Sequence, residues 1–378
     1  MINKVKRVET HAHYIPEAVY GAAGNYGPEK IIDEALGLRR YRTGKWQSES
    51  SVFRRGSFSN DASRASQHSG KMELPIFENP DPGARLGMMD KLGVDIMGIS
   101  ASPMIYCYGA SASDGVRYAR TYNDEMSRYC QAAPDRLFFI PTLPMQDISA
   151  AIDELRRARL LGGKGVNIGT DNLAGRNLDD EYLDPLYEYC QSENVTVWLH
   201  PAPIGTDEPQ YDPAENEQDK YSFGWLLGYN HRETLAVGAL VFGGVLDRFP
   251  KLKICVPHGG GFIPYQLGRL EYASRKRLTK NMKNRHQFEH YLGNFYFDNI
   301  VHDKRARQLL MRTMGADNVF VGSNFGGWDY VNGFDFVDDM VETEEDRFKL
   351  SAGNAIALFE LSRNYGSENP EQISVRTD

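Results

Sequence analysis

Two histidines one residue apart, His11 and His13, form the pattern with the clearest chemical meaning in this sequence. Side chains of an extended segment alternate between two faces, so the two imidazoles point in the same direction. Imidazole nitrogen is a common ligand of divalent metal ions. The spacing therefore indicates a metal site, although His-x-His also occurs by chance and needs support from the rest of the chain.

The rest of the chain alternates short apolar runs with longer amphipathic segments. A strand followed by a helix, repeated eight times over 378 residues, predicts an α/β fold of the (β/α)8 TIM barrel type, here as one domain over residues 1–378. The predicted strands are Val5–Ala12, Val94–Ala101, Leu137–Thr142, Gly165–Ile168, Val195–Leu199, Leu252–Pro257, Phe295–Ile300 and Val319–Gly322.

Further polar residues stand at the ends of these predicted strands. His200, His258 and Asn324 each follow an apolar run, as His11 and His13 do. The active site of such a barrel is built at the carboxyl ends of its strands, so we expect these five side chains to meet. His258 precedes three glycines, which allow a ligand to approach closely, and its imidazole suits a proton donor or base.

The composition narrows the classes of partner and location. A formal net charge of −8 and a pI near 5.7 argue against a nucleic-acid or anionic-membrane partner. Four widely spaced cysteines without a C-x-x-C motif are typical of reduced, buried thiols. Residues 1–7 lead into the first strand without a signal-peptide pattern, and no run of eighteen apolar residues occurs. We therefore expect a cytoplasmic protein.

The motifs resemble, in type and order, the amidohydrolase-2 branch of the amidohydrolase superfamily, with aminocarboxymuconate semialdehyde decarboxylase as its best-known member type. The motifs that carry the resemblance are Glu9–Pro16, Leu199–Pro201, Asp247–Ile254, Pro257–Gly261 and Val321–Asn324. The resemblance implies a metal-dependent barrel enzyme that acts on small carboxylated aromatic or ring-cleavage compounds. It also implies a homodimer or a higher homo-oligomer.

The resemblance further assigns roles to the strand-end residues. It implies that His11, His13 and His200 bind one divalent metal ion, with zinc preferred and manganese as the alternative. It implies that His258 is the catalytic histidine and that position 324 is a metal-binding aspartate. The sequence has Asn324 there, and we still expect this residue to take part in the catalytic and metal site.

Asn324 changes the expected chemistry. Three neutral imidazoles and a carboxylate around Zn²⁺ leave a net charge of +1, whereas three imidazoles and an amide leave +2, so metal affinity should fall. A neutral amide also cannot take a proton from water. Natural divergence and an engineered Asp→Asn variant both account for the residue. Because the following Phe325–Asp329 also differs from the Asp-Tyr-Pro-Phe common in the family, we favour natural divergence.

Three functions remain open on these residues. Non-oxidative decarboxylation of a small aromatic or unsaturated carboxylic acid comes first, because the amide at position 324 disfavours activation of water. A metal-dependent hydrolase of C–C, amide or lactone bonds, or a hydratase, uses the same residues. A third interpretation is a silent or engineered barrel that binds a ligand without turnover.

Several residues near the strand ends have both a functional and a structural interpretation. Glu9 faces the barrel interior by alternation and either supports the ligands or contacts the metal weakly. Trp225 and Tyr229 either stack on an aromatic substrate or pack against each other. His302 either contacts the substrate or supports its loop. Lys164 is interpreted as structural.

A long insertion at residues 17–82 separates the first strand from the first barrel helix. Its length predicts a lid over the site or an oligomer contact. Basic residues in it could pair with a substrate carboxylate, but a run of charges is more often a solvated face. These basic positions are Arg39, Arg40, Arg42, Lys45, Arg54 and Arg55.

Overall fold

The computed structural model describes residues 6–33, 38–47, 77–203, 223–327 and 329–361. Eight parallel strands lie in two sheets, one with the order β1-β5-β6 and one with the order β11-β10-β9-β8-β7; a third sheet, β2-β3-β4, is antiparallel. The strands are β1 (Val8–Tyr14), β2 (Glu29–Asp33), β3 (Leu38–Thr43), β4 (Trp46–Gln47), β5 (Ile96–Ala101), β6 (Leu137–Phe139), β7 (Val166–Ile168), β8 (Val197–Leu199), β9 (Ile254–Val256), β10 (Phe295–Asp298) and β11 (Val319–Phe320).

The helices follow the parallel strands along the chain and cover them. They are α1 (Pro82–Leu92), α2 (Ala112–Cys130), α3 (Ile148–Leu160), α4 (Asp184–Ser192), α5 (Tyr229–Phe242), α6 (Val245–Arg248), α7 (Ile263–Lys276), α8 (Lys304–Met314), α9 (Glu344–Phe348) and α10 (Asn354–Leu358). Side chains cap the first turns of α1, α2, α3, α8 and α9: the Asp147 carboxylate, for example, accepts hydrogen bonds from the backbone N–H groups of Ser149 and Ala150. The α/β class with parallel sheets is therefore confirmed.

Some predicted boundaries of strands and helices differ from those in the structure. The predicted first strand, Val5–Ala12, lies at Val8–Tyr14, and several others are shorter than expected. The amphipathic segment between the predicted strands Val195–Leu199 and Leu252–Pro257 contains two helices, α5 and α6. Gly244, between them, has a φ of +71°, which interrupts the helical backbone.

Two sets of backbone contacts connect the two parallel sheets. Ala12 in β1 pairs in parallel with Phe325, beyond β11, and Thr142, beyond β6, pairs in parallel with Asn167 in β7. The backbone N–H of Phe325 donates to the His11 carbonyl at 2.9 Å, and that of Asn167 donates to the Pro141 carbonyl at 2.7 Å. Each edge of the three-stranded sheet therefore adjoins an edge of the five-stranded one.

The described part of residues 17–82, the predicted insertion, contains the antiparallel sheet β2-β3-β4, which packs against the parallel part of the molecule. Tyr41 and Trp46 are buried, and the Thr43 hydroxyl donates to the Met104 carbonyl at 2.7 Å. Arg42, one of the predicted carboxylate partners, forms an ion pair with Glu29 at 2.5 Å. Arg54 and Arg55 lie outside the described residues.

The helices and the cysteines can be compared with the expectations from the composition. Within the described ranges, no helix is long and apolar enough to cross a membrane. All four cysteines are buried and free of disulfide bonds.

We predict that Gly98→Ala in β5 destabilises the fold. An added Cβ would lie 2.4 Å from Cζ of Phe138, which pairs with Gly98 across the sheet. Such overpacking should lower the free energy of unfolding by about 1–3 kcal/mol, measured by urea denaturation. The matched control is Gly87→Ala in α1, where the added Cβ meets nothing within 4 Å and should stabilise the helix by about 0.5–1 kcal/mol. Equal stability of Gly98→Ala and wild type would contradict this packing.

Candidate metal centre

Three imidazole rings converge where β1 and β8 end. His11 and His13 lie in the carboxyl half of β1, and His200 directly follows β8. Their ring centroids are 5.1–5.2 Å apart in every pair. One possible ligand atom of each ring lies within 4.8 Å of the other two, and all three residues are buried. The fold thus brings together the three histidines that sequence analysis grouped.

The Nδ1 atom of each ring is already engaged. His11 Nδ1 lies 2.7 Å from Oδ2 of Asp298, His13 Nδ1 lies 3.2 Å from the Ser100 hydroxyl, and His200 Nδ1 lies 2.8 Å from the Pro201 carbonyl. A backbone carbonyl can only accept, so Nδ1 of His200 carries the proton and its Nε2 keeps a lone pair. An ionised Asp298 fixes His11 in the same tautomer.

The Nε2 atoms of the three rings are the unsatisfied ones. None has a hydrogen-bond partner among the described residues, although all are buried. A buried polar atom without a partner costs about 1–3 kcal/mol. Burial lowers the pKa of His11, and lowers the pKa of His13 and of His200 well below the ordinary value. Neutral imidazoles with unshared lone pairs are the form that binds a divalent metal ion, so the three residues fit one.

His258 lies beside the three rings. Its ring centroid is 5.2 Å from that of His11 and 5.5 Å from that of His200, and its Nδ1 lies 2.6 Å from Oε1 of Glu233. Burial alone would lower the pKa of His258, but the charge and hydrogen bond of Glu233 raise it to about 9. The contact with Glu233 therefore favours the protonated form of this imidazole in the metal-free protein.

The turn after His258 is built from glycines that allow close packing. Gly260 has a φ of +74°, and a Cβ built on it would lie 2.3 Å from the Phe297 ring. Only glycine fits this backbone conformation and this contact. The glycines after His258 therefore let the loop pack directly against β10.

Asn324 lies in the loop that follows β11. It is buried and has a φ of +51°, and the next residue, Phe325, bonds to the backbone of β1. Its side-chain Nδ2 donates a hydrogen bond to Oδ1 of Asp329, whereas its Oδ1 has no partner in the part of the chain that the structure describes.

Asp329 is a strongly ionised carboxylate near the histidines. Burial would raise its pKa, but His302, His258, Asn324 and His11 together hold the pKa of Asp329 at about 2. The field of Asp329 acts in turn on His11 and His258, raising the pKa of each.

An aromatic group borders His200 and His258. The Tyr229 ring lies edge-on to His200 with centroids 5.8 Å apart, and Trp225 stacks on Tyr229 at 5.7 Å. The ring of Trp46, in β4, lies 6.2 Å from that of Trp225. The segment 17–82 therefore reaches the candidate site.

The other candidate residues predicted from the sequence lie outside the group of histidines. The His302 side chain is 61% exposed, and its Nε2 lies 3.9 Å from Oδ2 of Asp329, at the edge of the site. Oε1 of Glu9 accepts from the backbone N–H groups of His11 and Ser323, and burial raises the pKa of Glu9 to about 8. Lys164 precedes β7, at the strand ends opposite to the histidines.

Sequence reasoning missed four side chains of this region. Asp298 ends β10, so the strand-end rule that found His258 could have found it. Glu233 lies in α5 and Trp46 in the insertion, and no local pattern connects either to the histidines. Asp329 was noted only as the last residue of Phe325–Asp329, a segment that differs from the motif common in the family.

Comparison with known proteins identifies the family. Residues 8–361 match the sequence profile described as Amidohydrolase, so the chain belongs to this family and to the amidohydrolase-2 branch that its motifs resemble. It is similar to the 2-amino-3-carboxymuconate-6-semialdehyde decarboxylase of Dictyostelium discoideum, with 33% identity over 294 residues that cover 75% of this chain and 78% of the relative. The gamma-resorcylate decarboxylase of Polaromonas sp. is 28% identical over 294 residues, which cover 74% of this chain and 87% of the relative.

A solved structure supports the likeness in fold. The 5-carboxyvanillate decarboxylase of Novosphingobium aromaticivorans superposes with a TM-score of 0.70 at 21% identity, covering 94% of this chain and 97% of that chain. That structure is an Asp→Asn mutant with bound manganese and 3-methoxy-4-hydroxy-5-nitrobenzoic acid.

We predict a pH dependence of stability that Glu233→Gln reduces. In metal-free protein the pKa of His258 is about 9 in the folded state against 6.5 as the ordinary value. The folded state therefore binds the proton more tightly, and this stabilisation, about 3 kcal/mol, is fully present below pH 6.5 and lost as the pH rises through about 9. Urea denaturation at pH 6.5 and 9.5 should show the loss in wild type.

In Glu233→Gln the pKa of His258 falls because Asp329 and Asp298 alone then oppose the effect of burial. The loss of stability between pH 6.5 and 9.5 should therefore shrink, with the contribution of Glu9, whose pKa is about 8, remaining. Glu342→Gln, a change of an exposed carboxylate, is the control and should keep the wild-type profile. An unchanged profile in Glu233→Gln would show that Glu233 does not set the charge of His258.

Proposed function

We propose that this chain is a metal-dependent, non-oxidative decarboxylase of a small aromatic or unsaturated carboxylic acid. The observation that carries the proposal is the convergence, beside the ring of His258, of three buried imidazoles whose Nε2 atoms have no hydrogen-bond partner among the described residues. The activities of the named relatives support the reaction class, because both curated relatives are decarboxylases. The amide at position 324 supports it further, since it cannot take a proton from water.

We infer that the eight parallel strands form one closed (β/α)8 barrel. The pairings Ala12 with Phe325 and Thr142 with Asn167, which connect the edges of the two sheets, support this closure. In such a barrel the candidate site lies at the carboxyl ends of the strands, the usual place of the active site. Residues 17–82 are then an insertion after the first strand that contributes Trp46 to the wall of the site, in a single domain over 1–378.

His11, His13 and His200 are the proposed ligands of one divalent metal ion. Three imidazoles are a donor set that suits zinc, whereas the similar solved structure holds manganese. When bound, the ion supplies positive charge that holds the oxygens of the substrate. Asn324 presents Oδ1 as a further oxygen, and Asp298, Ser100 and the Pro201 carbonyl keep the three rings oriented.

His258 is the proposed proton donor. As the bond between the ring carbon and the carboxylate breaks, its electron pair stays on that carbon and CO₂ leaves. The carbon then takes a proton from His258, whose other nitrogen is held by Glu233. Because His258 lies beside the proposed ligands, a substrate oriented by them can place its reacting carbon near this donor.

Trp225 and Tyr229 form the proposed aromatic wall for the substrate ring. The stacked pair borders His200 and His258, and Trp46 extends it from the insertion. His302, exposed at the edge, is placed to meet the outer part of a substrate.

We further propose a cytoplasmic, homo-oligomeric protein. Four free and buried thiols suit a reducing compartment, and the family resemblance implies a dimer or a higher assembly.

The decisive test of the function combines metal content and product analysis. We expect wild type, purified without chelators, to hold about one divalent ion per chain and to release CO₂ without adding water to dihydroxybenzoates or carboxymuconate semialdehydes. His258→Asn should lower kcat by about 10²–10⁴-fold and keep its metal, because this change removes the proton donor alone. His200→Ala should lose both metal and activity.

Other products would select another function. A product that has gained water would indicate a hydratase or a hydrolase. Tight binding of these acids without turnover would indicate a silent barrel. Metal content that is equal in wild type and His200→Ala would contradict the three-histidine site.

We predict that Trp225→Leu and Trp46→Leu raise KM about 2- to 10-fold with little change in kcat. Ring stacking contributes about 0.5–1.5 kcal/mol and acts on substrate and transition state alike. Steady-state kinetics on the best substrate measures the effect. Tyr265→Leu, which changes an exposed aromatic side chain of α7, is the control and should leave KM unchanged. Wild-type KM values in both tryptophan variants would place the substrate elsewhere.

A further inference from the structure

The loop after β11 brings an amide and a carboxylate into contact next to the three histidines. Nδ2 of Asn324 donates to Oδ1 of Asp329, and both side chains are nearly buried. With Nδ2 engaged, Oδ1 is the free end of the amide, and the described residues offer it no hydrogen-bond partner. A buried amide oxygen without a partner is unfavourable, and a cation or a hydrogen-bond donor beside it would remove this cost.

The fold of the loop holds this amide in place. The backbone N–H of Gly327 donates to the Asn324 carbonyl at 2.7 Å, which closes a tight turn. A Cβ built on Gly327 would lie 2.0 Å from Oδ1 of Asn324. Any residue other than glycine would therefore displace the amide. The adjoining residue, Phe325, pairs with β1 between His11 and His13 and so ties the loop to the histidines.

The contact alters the amide as a ligand. When a carboxylate accepts a hydrogen bond from an amide N–H, it shifts electron density in the amide from nitrogen towards oxygen, because neighbouring hydrogen bonds polarise one another. The amide oxygen becomes more negative and binds a cation more strongly. Asp329 also brings a full negative charge whose field reaches His11 and His258.

We propose that Asp329 is a positioning carboxylate of the metal centre, which holds Asn324 through its amide and supplies the negative charge that an asparagine at position 324 lacks. The inference rests on the proposed function, because it requires a metal ion on the three histidines. Three imidazoles, an amide and a divalent ion carry +2, and Asp329 returns the total to +1. The pair Asn324 and Asp329 thus replaces the single aspartate that the family resemblance implies.

The test is metal affinity, measured with zinc or manganese alone by competition against a chelator. Asp329→Asn should weaken binding by about 10–100-fold, the usual effect of losing a group that supports a metal ligand. The exchanged variant Asn324→Asp/Asp329→Asn keeps one amide, one carboxylate and the same total charge, so its affinity should return to within about threefold of wild type.

The chain offers a matched control. Nδ2 of Asn332 donates to Oδ1 of Asp335 at 2.8 Å in an exposed turn of the same region. Asp335→Asn makes the same chemical change away from the histidines and should leave affinity unchanged. Circular dichroism and the Tm of each metal-free variant establish that it is folded.

Each outcome bears on a separate claim. Affinity of Asp329→Asn within twofold of wild type would overturn the role of Asp329 while leaving the three-histidine site intact. An exchanged variant as weak as Asp329→Asn would also overturn it, because the residue would then act only through the structure of its loop. Equal binding by wild type and His200→Ala would instead overturn the metal centre itself, and this inference with it.

Discussion

The constraint on which this structure depends is the burial of three imidazole rings in contact with one another. One possible ligand atom of each ring lies within 4.8 Å of the other two, and among the described residues none of the three Nε2 atoms has a hydrogen-bond partner, which is unfavourable for a buried polar atom. The fold stabilises the arrangement from the other side of each ring, where Asp298, Ser100 and the Pro201 carbonyl engage Nδ1. Neutral rings held in this way are prepared for a divalent cation, which would satisfy all three at once.

The surrounding groups follow from this constraint. Glu9 bonds to the backbone of both His11 and Ser323, and so fixes the end of β1 against the loop after β11. Glu233 raises the pKa of His258, whereas burial lowers the pKa of the three neighbouring histidines. Two different environments thus suit identical side chains to the two different roles that we propose for them.

The sequence was sufficient for the parts of the site that follow from regular alternation and strand ends. His11 and His13 were found by the period of two, and His200 and His258 by their position after apolar runs. Glu233 could not be found in this way, because a residue inside α5 meets His258 only through packing of the helix on the strands. The position of Trp46 depends on the antiparallel sheet within residues 17–82. The position of Asp329 depends on a turn that brings it into contact with Asn324, five residues earlier. The break between α5 and α6 depends on the backbone angle of Gly244, and the pattern of apolar residues does not predict such an angle.

Anomalous X-ray scattering from a crystal of the zinc- or manganese-loaded protein tests the central claim most directly. We expect one strong peak in contact with Nε2 of His11, His13 and His200. A crystal that contains the metal but shows no peak among these three atoms would contradict the three-histidine centre.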